Sequence, residues 1–108
     1  MKTIRYHKLV RDRIPDIIEQ DGKECVCSVM NDEEYLAALD EKLNEELKEY
    51  QESKSMEELA DLLEVVRAVA KARGSSIEEV EKIREEKARK RGGFEKRILL
   101  EEVVEDEA

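Results

Sequence analysis

Residues 45–61 read EELKEYQESKSMEELAD and contain two acidic motifs, EELKE at 45–49 and ELAD at 58–61. The apolar residues around each motif recur at the helical period of about 100° per residue, which predicts two long helices joined by a short connection. Glu46 falls inside the apolar stripe of the first helix, and Glu58 falls inside that of the second. Carboxylates thus occupy positions where an amphipathic helix is normally apolar.

The apolar stripes predict which faces of the two helices pack together. A short connection favours an antiparallel hairpin, in which each stripe faces the other helix. Glu49 and Asp61 then lie at the edges of the stripes. The first stripe consists of Leu36, Leu39, Leu43, Leu47 and Tyr50. The second consists of Leu59, Leu62, Leu63, Val66 and Val69.

The predicted fold class is all-α, a helical bundle of about four helices in a single domain over residues 1–108. Besides the two long helices, a short helix begins near Ile14, with Pro15 in its first turn, and ends before Gly22. A last helix follows a capping box at Ser76. The three longer helices are expected over about 32–52, 56–73 and 77–91.

Two segments outside the helices, 24–30 and 96–104, predict a short strand pair beside the bundle. The first contains Cys25 and Cys27, which lack the companions that a zinc site or a disulfide framework would require. We therefore expect reduced thiols on one face of a strand. The tail at 105–108 is expected to be disordered.

Composition limits the classes of function that the chain can have. Charged residues make up 45% of it, and it has no Trp, one Pro and four Gly, which favours a helix-rich fold. A net charge of −9 provides no basic field for a nucleic-acid polymer. No apolar run approaches the roughly 18 residues of a membrane span, and the first residues lack a signal-peptide core. We expect a cytoplasmic protein without a membrane partner.

Four carboxylates on two facing helices predict a metal site. A buried, unpaired carboxylate is costly, and several together repel one another, so a hard divalent cation would stabilise the arrangement. Mg²⁺ and Mn²⁺ prefer such oxygen ligands. Two structural explanations stand beside this one. Glu58 follows Ser55 at the spacing of a capping box, and acidic helix faces are often simply solvated.

Basic residues are concentrated at the end of the last predicted helix, just before the sequence GGF at 92–94. Cations suit the C-terminus of a helix electrostatically, which is the structural explanation. Cations followed by two glycines also form a site that could close around phosphates. The residues are Arg84, Lys87, Arg89, Lys90 and Arg91.

The two acidic motifs, together with two basic segments, resemble the all-α nucleoside triphosphate pyrophosphohydrolases, the MazG-like group that includes phosphoribosyl-ATP pyrophosphohydrolase. The acidic motifs match the EExxE and ExxD pattern of that group. KLVRDRIP at 8–15 and KARKRGGF at 87–94 are similar to segments of a small single-domain branch. Only eight residues, 50–57, separate the acidic motifs, fewer than in typical members, so the turn must be tight.

The resemblance implies hydrolysis of the bond between the α and β phosphates of a nucleoside triphosphate, with Mg²⁺ or Mn²⁺ as cofactor. It also implies a homodimer or higher homo-oligomer, and a role in removing non-canonical nucleotides. By motif position the metal ligands would be Glu46, Glu49, Glu58 and Asp61. Glu45 and Glu46 would be the catalytic residues, with Glu45 either a further contributor to the metal site or the base for the attacking water. The phosphate contacts would come from Lys87, Arg89, Arg91, Arg11 and Arg13.

Two other functions remain open from the sequence. Phosphoribosyl-ATP hydrolysis in histidine biosynthesis breaks the same type of bond, and no motif specifies the base that is recognised. A non-catalytic helical interaction module would carry the same acidic motifs on solvated faces and would bind no metal. Metal binding separates the module from either enzyme.

Overall fold

Four helices form the regular secondary structure of residues 2–107, the part of the chain that the computed structural model describes. The all-α prediction is confirmed, and the helix boundaries differ from the predicted ones by one or two residues at most. The helices are α1 (Ile14–Gln20), α2 (Asp32–Ser53), α3 (Met56–Ala72) and α4 (Ile77–Arg91). None of them is both long and apolar enough to cross a membrane.

Local sequence signals account for the start of α2. The backbone N–H of Glu34 donates to Asn31 Oδ1 at 2.9 Å, and the N–H of Asn31 donates to Glu34 Oε1 at 3.4 Å. This reciprocal capping box satisfies two N–H groups that the first turn of a helix leaves unpaired. Three acidic residues in that turn also suit the positive end of the helix dipole.

The turn between α2 and α3 consists of Lys54 and Ser55. Lys54 adopts a left-handed backbone conformation with φ of 60°, and its N–H donates to the carbonyl of Tyr50 at 2.7 Å. Ser55 then caps α3, because its hydroxyl accepts the N–H of Glu58 at 3.3 Å. So short a connection returns the chain directly along α2, and the two helices pack as the predicted hairpin.

The interface of the hairpin buries three apolar residues, Leu39 from α2 and Val65 and Ala70 from α3. It also buries Glu46, the only charged side chain among residues 2–107 that is more than nine-tenths buried. The predicted stripe of α2 is mostly confirmed, although Leu47 is exposed. The interface therefore buries one acid together with three apolar residues.

The stripe predicted for α3 is wrong in part. Leu59 and Leu63 are exposed, Leu63 by 60%, whereas Glu58, Leu62 and Val65 are half-buried or buried. The packed face of α3 thus includes Leu62 and Glu58 and leaves out Leu59 and Leu63. Since α2 covers only one side of α3, the leucines on the adjoining side remain at the surface.

The predicted strand pair is also wrong, because no residue in 2–107 belongs to a strand. Strand backbone must pair with a neighbouring strand, and an alternating pattern supplies no such partner by itself. In segment 24–30 the side chains of Val26 and Val29 are fully exposed. In segment 96–104 the apolar side chains, such as Leu99, are exposed as well.

Contacts divide the chain into two compact units, one ending at Ile77 and one beginning at Glu78. The first contains α1 and the α2–α3 hairpin. The second contains α4 from its second residue onward, followed by residues without helix or strand. A single domain over 1–108 stays a prediction. The predicted disorder of 105–108 concerns residues outside the helices, and Ala108 lies outside the described residues.

Candidate metal centre

Five carboxylates from the hairpin form two overlapping groups of three, and we call the five together the acidic cluster. One group of three side chains, Glu45, Glu46 and Glu49, places one oxygen of each within 4.8 Å of the others. A second group does the same with Glu46, Glu58 and Asp61. Glu46 belongs to both groups, so it connects the acids of α2 with those of α3. Each residue predicted as a metal ligand thus belongs to at least one of the two groups.

Helical spacing and the hairpin turn explain this convergence. Glu46 and Glu49 are three residues apart on α2, as are Glu58 and Asp61 on α3, so each pair shares one side of its helix. The two-residue turn fixes the register between the helices and sets the two pairs opposite each other. The tight turn expected from the sequence is compatible with the cluster.

Two oxygens of the acidic cluster are buried without a hydrogen-bond partner, Oε2 of Glu46 and Oε2 of Glu58. Buried polar atoms in native proteins are nearly always paired, and leaving one unpaired costs about 1–3 kcal/mol, more when it is charged. Two such oxygens at a helix interface are unfavourable unless a proton, a water molecule or a cation pairs with them.

The capping-box explanation for Glu58 does not hold. Such a box would need its side chain to accept the backbone N–H of Ser55. That N–H instead donates to Ser53 Oγ at 3.2 Å. Only the backbone N–H of Glu58 takes part in the cap, through the hydroxyl of Ser55. The carboxylate is therefore free to point into the acidic cluster.

The surroundings raise the pKa of both central acids. For Glu46, burial is the largest cause, and the adjacent Glu49 carboxyl adds to it by sharing a proton and by repulsion, while Lys42 acts in the opposite direction. For Glu58, burial again comes first, followed by Glu49 and Asp61. Both shifts mean that the charged form is disfavoured where these carboxyls lie.

Three cations reach the acidic cluster. Lys42 Nζ lies 3.3 Å from Glu45 Oε2 and 3.6 Å from Glu46 Oε1, and its side chain is only 15% exposed. Lys8 Nζ lies 3.5 Å from Glu45 Oε1. Arg11 Nη2 donates to Asp61 Oδ1 at 2.7 Å. Five carboxylates and three cations leave a formal charge of −2 when all are ionised, which is the charge that one divalent ion would neutralise.

Sequence reasoning missed Lys8 and Lys42. The spacing of Lys42 from Glu45 and Glu46, three and four residues along one helix, is a signal that could have identified it. Lys8 is far from its partner Glu45 in the chain, and no periodicity connects them. Arg11, a predicted phosphate contact, does lie at the acidic cluster, but it pairs with Asp61 across 50 residues.

The other predicted phosphate contacts belong to other segments of the chain. Arg13 precedes α1 as its N-cap residue and is exposed. The remaining three lie on the last two turns of α4, in the second unit, where their side chains are exposed. These three residues are Lys87, Arg89 and Arg91. Contact of these four residues with phosphate stays a prediction.

Cys25 and Cys27 are free, as expected, and their Sγ atoms lie 3.9 Å apart. Cys25 Sγ also lies 3.8 Å from the carbonyl oxygen of Pro15. Burial raises the pKa of the Cys25 thiol, and Cys27 adds to this shift. The thiol is thereby held in its protonated form, which is the less reactive one.

Comparisons with known proteins bear on only part of the chain. No family model matches it, and no solved structure does. A protein of Mycolicibacterium smegmatis described as uncharacterized is 52% identical over 42 residues, which is 39% of this chain. That match covers 43% of the relative, so the chain spans less than half of its length. The MazG-like resemblance therefore stays a prediction.

The free energy of unfolding should depend on pH because acids of the cluster are buried in the folded state. Since the folded state raises the pKa of Glu46 and Glu58 above the ordinary 4.5, it binds protons there more tightly than the unfolded state does. The contribution of these groups to the free energy of unfolding is then present below pH 4.5 and is lost as the pH rises through the raised pKa values.

The measurement is urea unfolding in the presence of a chelator at several pH values between about 4 and 8. Proton linkage sets the slope of the free energy of unfolding against pH in this range. Glu46→Gln should reduce the loss of stability with rising pH, because it removes one of the two perturbed acids. Glu41→Gln, which changes an exposed acid of α2 outside the acidic cluster, is the matched control and should leave the slope as it is. An undiminished slope in Glu46→Gln would contradict this account.

Proposed function

We propose that the chain is a divalent-metal-dependent nucleoside triphosphate pyrophosphohydrolase that cleaves between the α and β phosphates. The observation that carries the proposal is the buried carboxylate of Glu46, whose Oε2 has no hydrogen-bond partner and which belongs to both carboxylate groups of the acidic cluster. The order and spacing of the acidic motifs support the reaction class through the resemblance. Removal of non-canonical nucleotides in the cytoplasm is the physiological role that we infer.

The donor atoms of the acidic cluster fit a hard divalent ion. Every ligand on offer is a carboxylate oxygen, and Mg²⁺ and Mn²⁺ prefer oxygen ligands. The unpaired oxygens of Glu46 and Glu58 would gain a partner, and the negative charge of the cluster would be reduced. The residues that would hold the ion are Glu46, Glu49, Glu58 and Asp61.

A bound divalent ion would offset the charge that develops on the phosphates and promote attack by water. The chain's own residues supply the alignment. Lys42 contacts both Glu45 and Glu46 and holds the two carboxylates in place. Glu45, half-buried at the edge of the cluster, would accept the proton of the attacking water as the bond between the α and β phosphates breaks and pyrophosphate leaves.

Metal binding provides the first test. Calorimetric titration should show that Mg²⁺ or Mn²⁺ binds the wild-type chain and that Glu58→Gln and Asp61→Asn each weaken binding about ten-fold or more, because each removes a charged ligand. Glu57→Gln, at the exposed neighbour of Glu58, is the matched control and should bind as the wild type does. Equal affinity in all four proteins would favour a non-catalytic interaction module.

Product analysis provides the second test. With Mg²⁺ and a panel of standard and modified nucleoside triphosphates, the released product should be pyrophosphate, since the proposed cleavage lies at the α–β bond. Glu46→Gln should lower kcat by about 100-fold or more, because it alters a ligand common to both carboxylate groups. Orthophosphate as the first product would remove the assignment. Phosphoribosyl-ATP belongs in the panel, because its hydrolysis also yields pyrophosphate.

Self-association is the third part of the proposal. Met56, Leu59 and Leu63 recur on one exposed side of α3, next to the face that packs on α2. A contiguous apolar patch of this kind is typical of an interaction surface, and a second copy of the chain would cover it.

Light scattering after gel filtration should therefore give the mass of a homodimer or higher homo-oligomer, and Leu63→Glu should shift the mass toward the monomer, because it places a charge in the patch. Glu64→Gln, at the exposed neighbouring position, is the control and should keep the wild-type mass. A monomer in the wild type at concentrations of about 100 μM, where a stable dimer would be fully formed, would contradict the inference.

A further inference from the structure

Two cations from the segment before α1 form ion pairs with acids of the acidic cluster. Arg11 pairs with Asp61 on α3, and Lys8 pairs with Glu45 on α2. The two ion pairs therefore connect one short segment with both helices of the hairpin. We call residues 8–11, which read KLVR, the cationic strap.

The strap is held by two contacts that do not involve the acids. Leu9, between the two cations, is half-buried. The carbonyl oxygen of Arg11 accepts the N–H of Ile14, the first residue of α1, at 3.1 Å. The backbone of the strap can therefore stay in place while the charged ends of its side chains exchange partners.

Exposure distinguishes the strap cations from the third cation of the site. The side chain of Lys42 is 15% exposed and belongs to α2 itself, so it is a fixed part of the cluster. The side chains of Lys8 and Arg11 are 45% and 58% exposed. Exposed ion pairs are worth only about 0–1 kcal/mol, so a ligand of higher charge can displace them.

We propose that Lys8 and Arg11 are exchangeable counterions. They neutralise Glu45 and Asp61 while no divalent ion is bound, and they transfer to the phosphate oxygens of the substrate when an ion occupies the acidic cluster. The inference rests on the function proposed above and deepens it, since it assigns Lys8 to the site and gives Arg11 two successive partners. The ligand class is a polyphosphate chain that approaches together with its divalent ion.

Electrostatics gives the reason for the exchange. A guanidinium 2.7 Å from Asp61 Oδ1 occupies an oxygen that the ion would use, and its charge repels the ion. Polyphosphate reverses this balance, because it brings several negative oxygens that guanidinium and ammonium groups bind through charge-assisted hydrogen bonds. Each strap cation thus competes with the bare ion and assists the anionic substrate.

The exchange predicts effects of opposite sign, which a merely structural role would not produce. Loss of a strap cation should tighten binding of the bare ion and weaken binding of polyphosphate. If Arg11 served only to hold the segment against the hairpin, its loss would disorder the cluster and weaken binding of both ligands.

The experiment is a calorimetric titration of the full chain with Mn²⁺ alone, followed by titration of the Mn²⁺-saturated protein with tripolyphosphate as its Mn²⁺ complex. The variants are Arg11→Gln and Lys8→Gln. The matched control is Arg73→Gln, which breaks an Arg–Asp ion pair of similar exposure between α3 and α2, at Asp40 and away from the acidic cluster. It also corrects for the loss of one positive charge.

We expect Arg11→Gln and Lys8→Gln to bind Mn²⁺ about two- to five-fold more tightly than the wild type, the range that an exposed ion pair accounts for. Tripolyphosphate should bind each variant about ten-fold or more weakly, because a charge-assisted hydrogen bond is lost. Arg73→Gln should match the wild type in both titrations.

Mn²⁺ affinity in Arg11→Gln that equals the wild type or falls below it would overturn the exchange, as would unchanged tripolyphosphate affinity. A wild-type chain that binds no Mn²⁺ would instead overturn the proposed function itself, so the two failures are distinguishable. Circular dichroism of each variant confirms that the helices are intact before the titrations are compared.

Discussion

The carboxylate of Glu46 is buried between α2 and α3, and one of its oxygens has no partner there. A charged group in that place is unfavourable unless a cation compensates it. Lys42 supplies part of that charge from the same helix, and the remaining acids concentrate the negative potential further. A hairpin that served only as a scaffold would bury another leucine at this position.

The packing of the hairpin follows from the same constraint. α3 directs Glu58 and Asp61 toward α2 and leaves Leu59 and Leu63 at the surface, the reverse of what hydrophobic burial alone favours. The orientation places one unpaired oxygen from each helix at the interface. Packing these acids instead of the leucines lowers the stability of the hairpin and concentrates oxygen donors at the interface. This combination is typical of functional sites.

Periodicity and capping residues predicted most of the fold. Asn31, Ser55 and the apolar spacing gave helix boundaries to within two residues, because these signals act over a single turn. The same local register predicted which acids would converge. The packed side of α3 could not be predicted in this way, since Leu59 and Glu58 are adjacent and only the partner helix decides between them. The strand prediction was wrong because Val26 and its neighbours have no strand to pair with. The Arg11–Asp61 contact could not be predicted, because it depends on the path of the chain between two distant segments, which local patterns do not encode.

Anomalous X-ray diffraction from crystals grown with Mn²⁺ tests whether the acidic cluster binds a divalent ion between α2 and α3. We expect an anomalous peak within coordination distance, about 2.0–2.3 Å, of carboxylate oxygens from Glu46 and from at least one of Glu58 and Asp61. The absence of an anomalous peak at the acidic cluster at saturating Mn²⁺ would contradict the proposed metal site. Five carboxylates turned to solvent would contradict it as well.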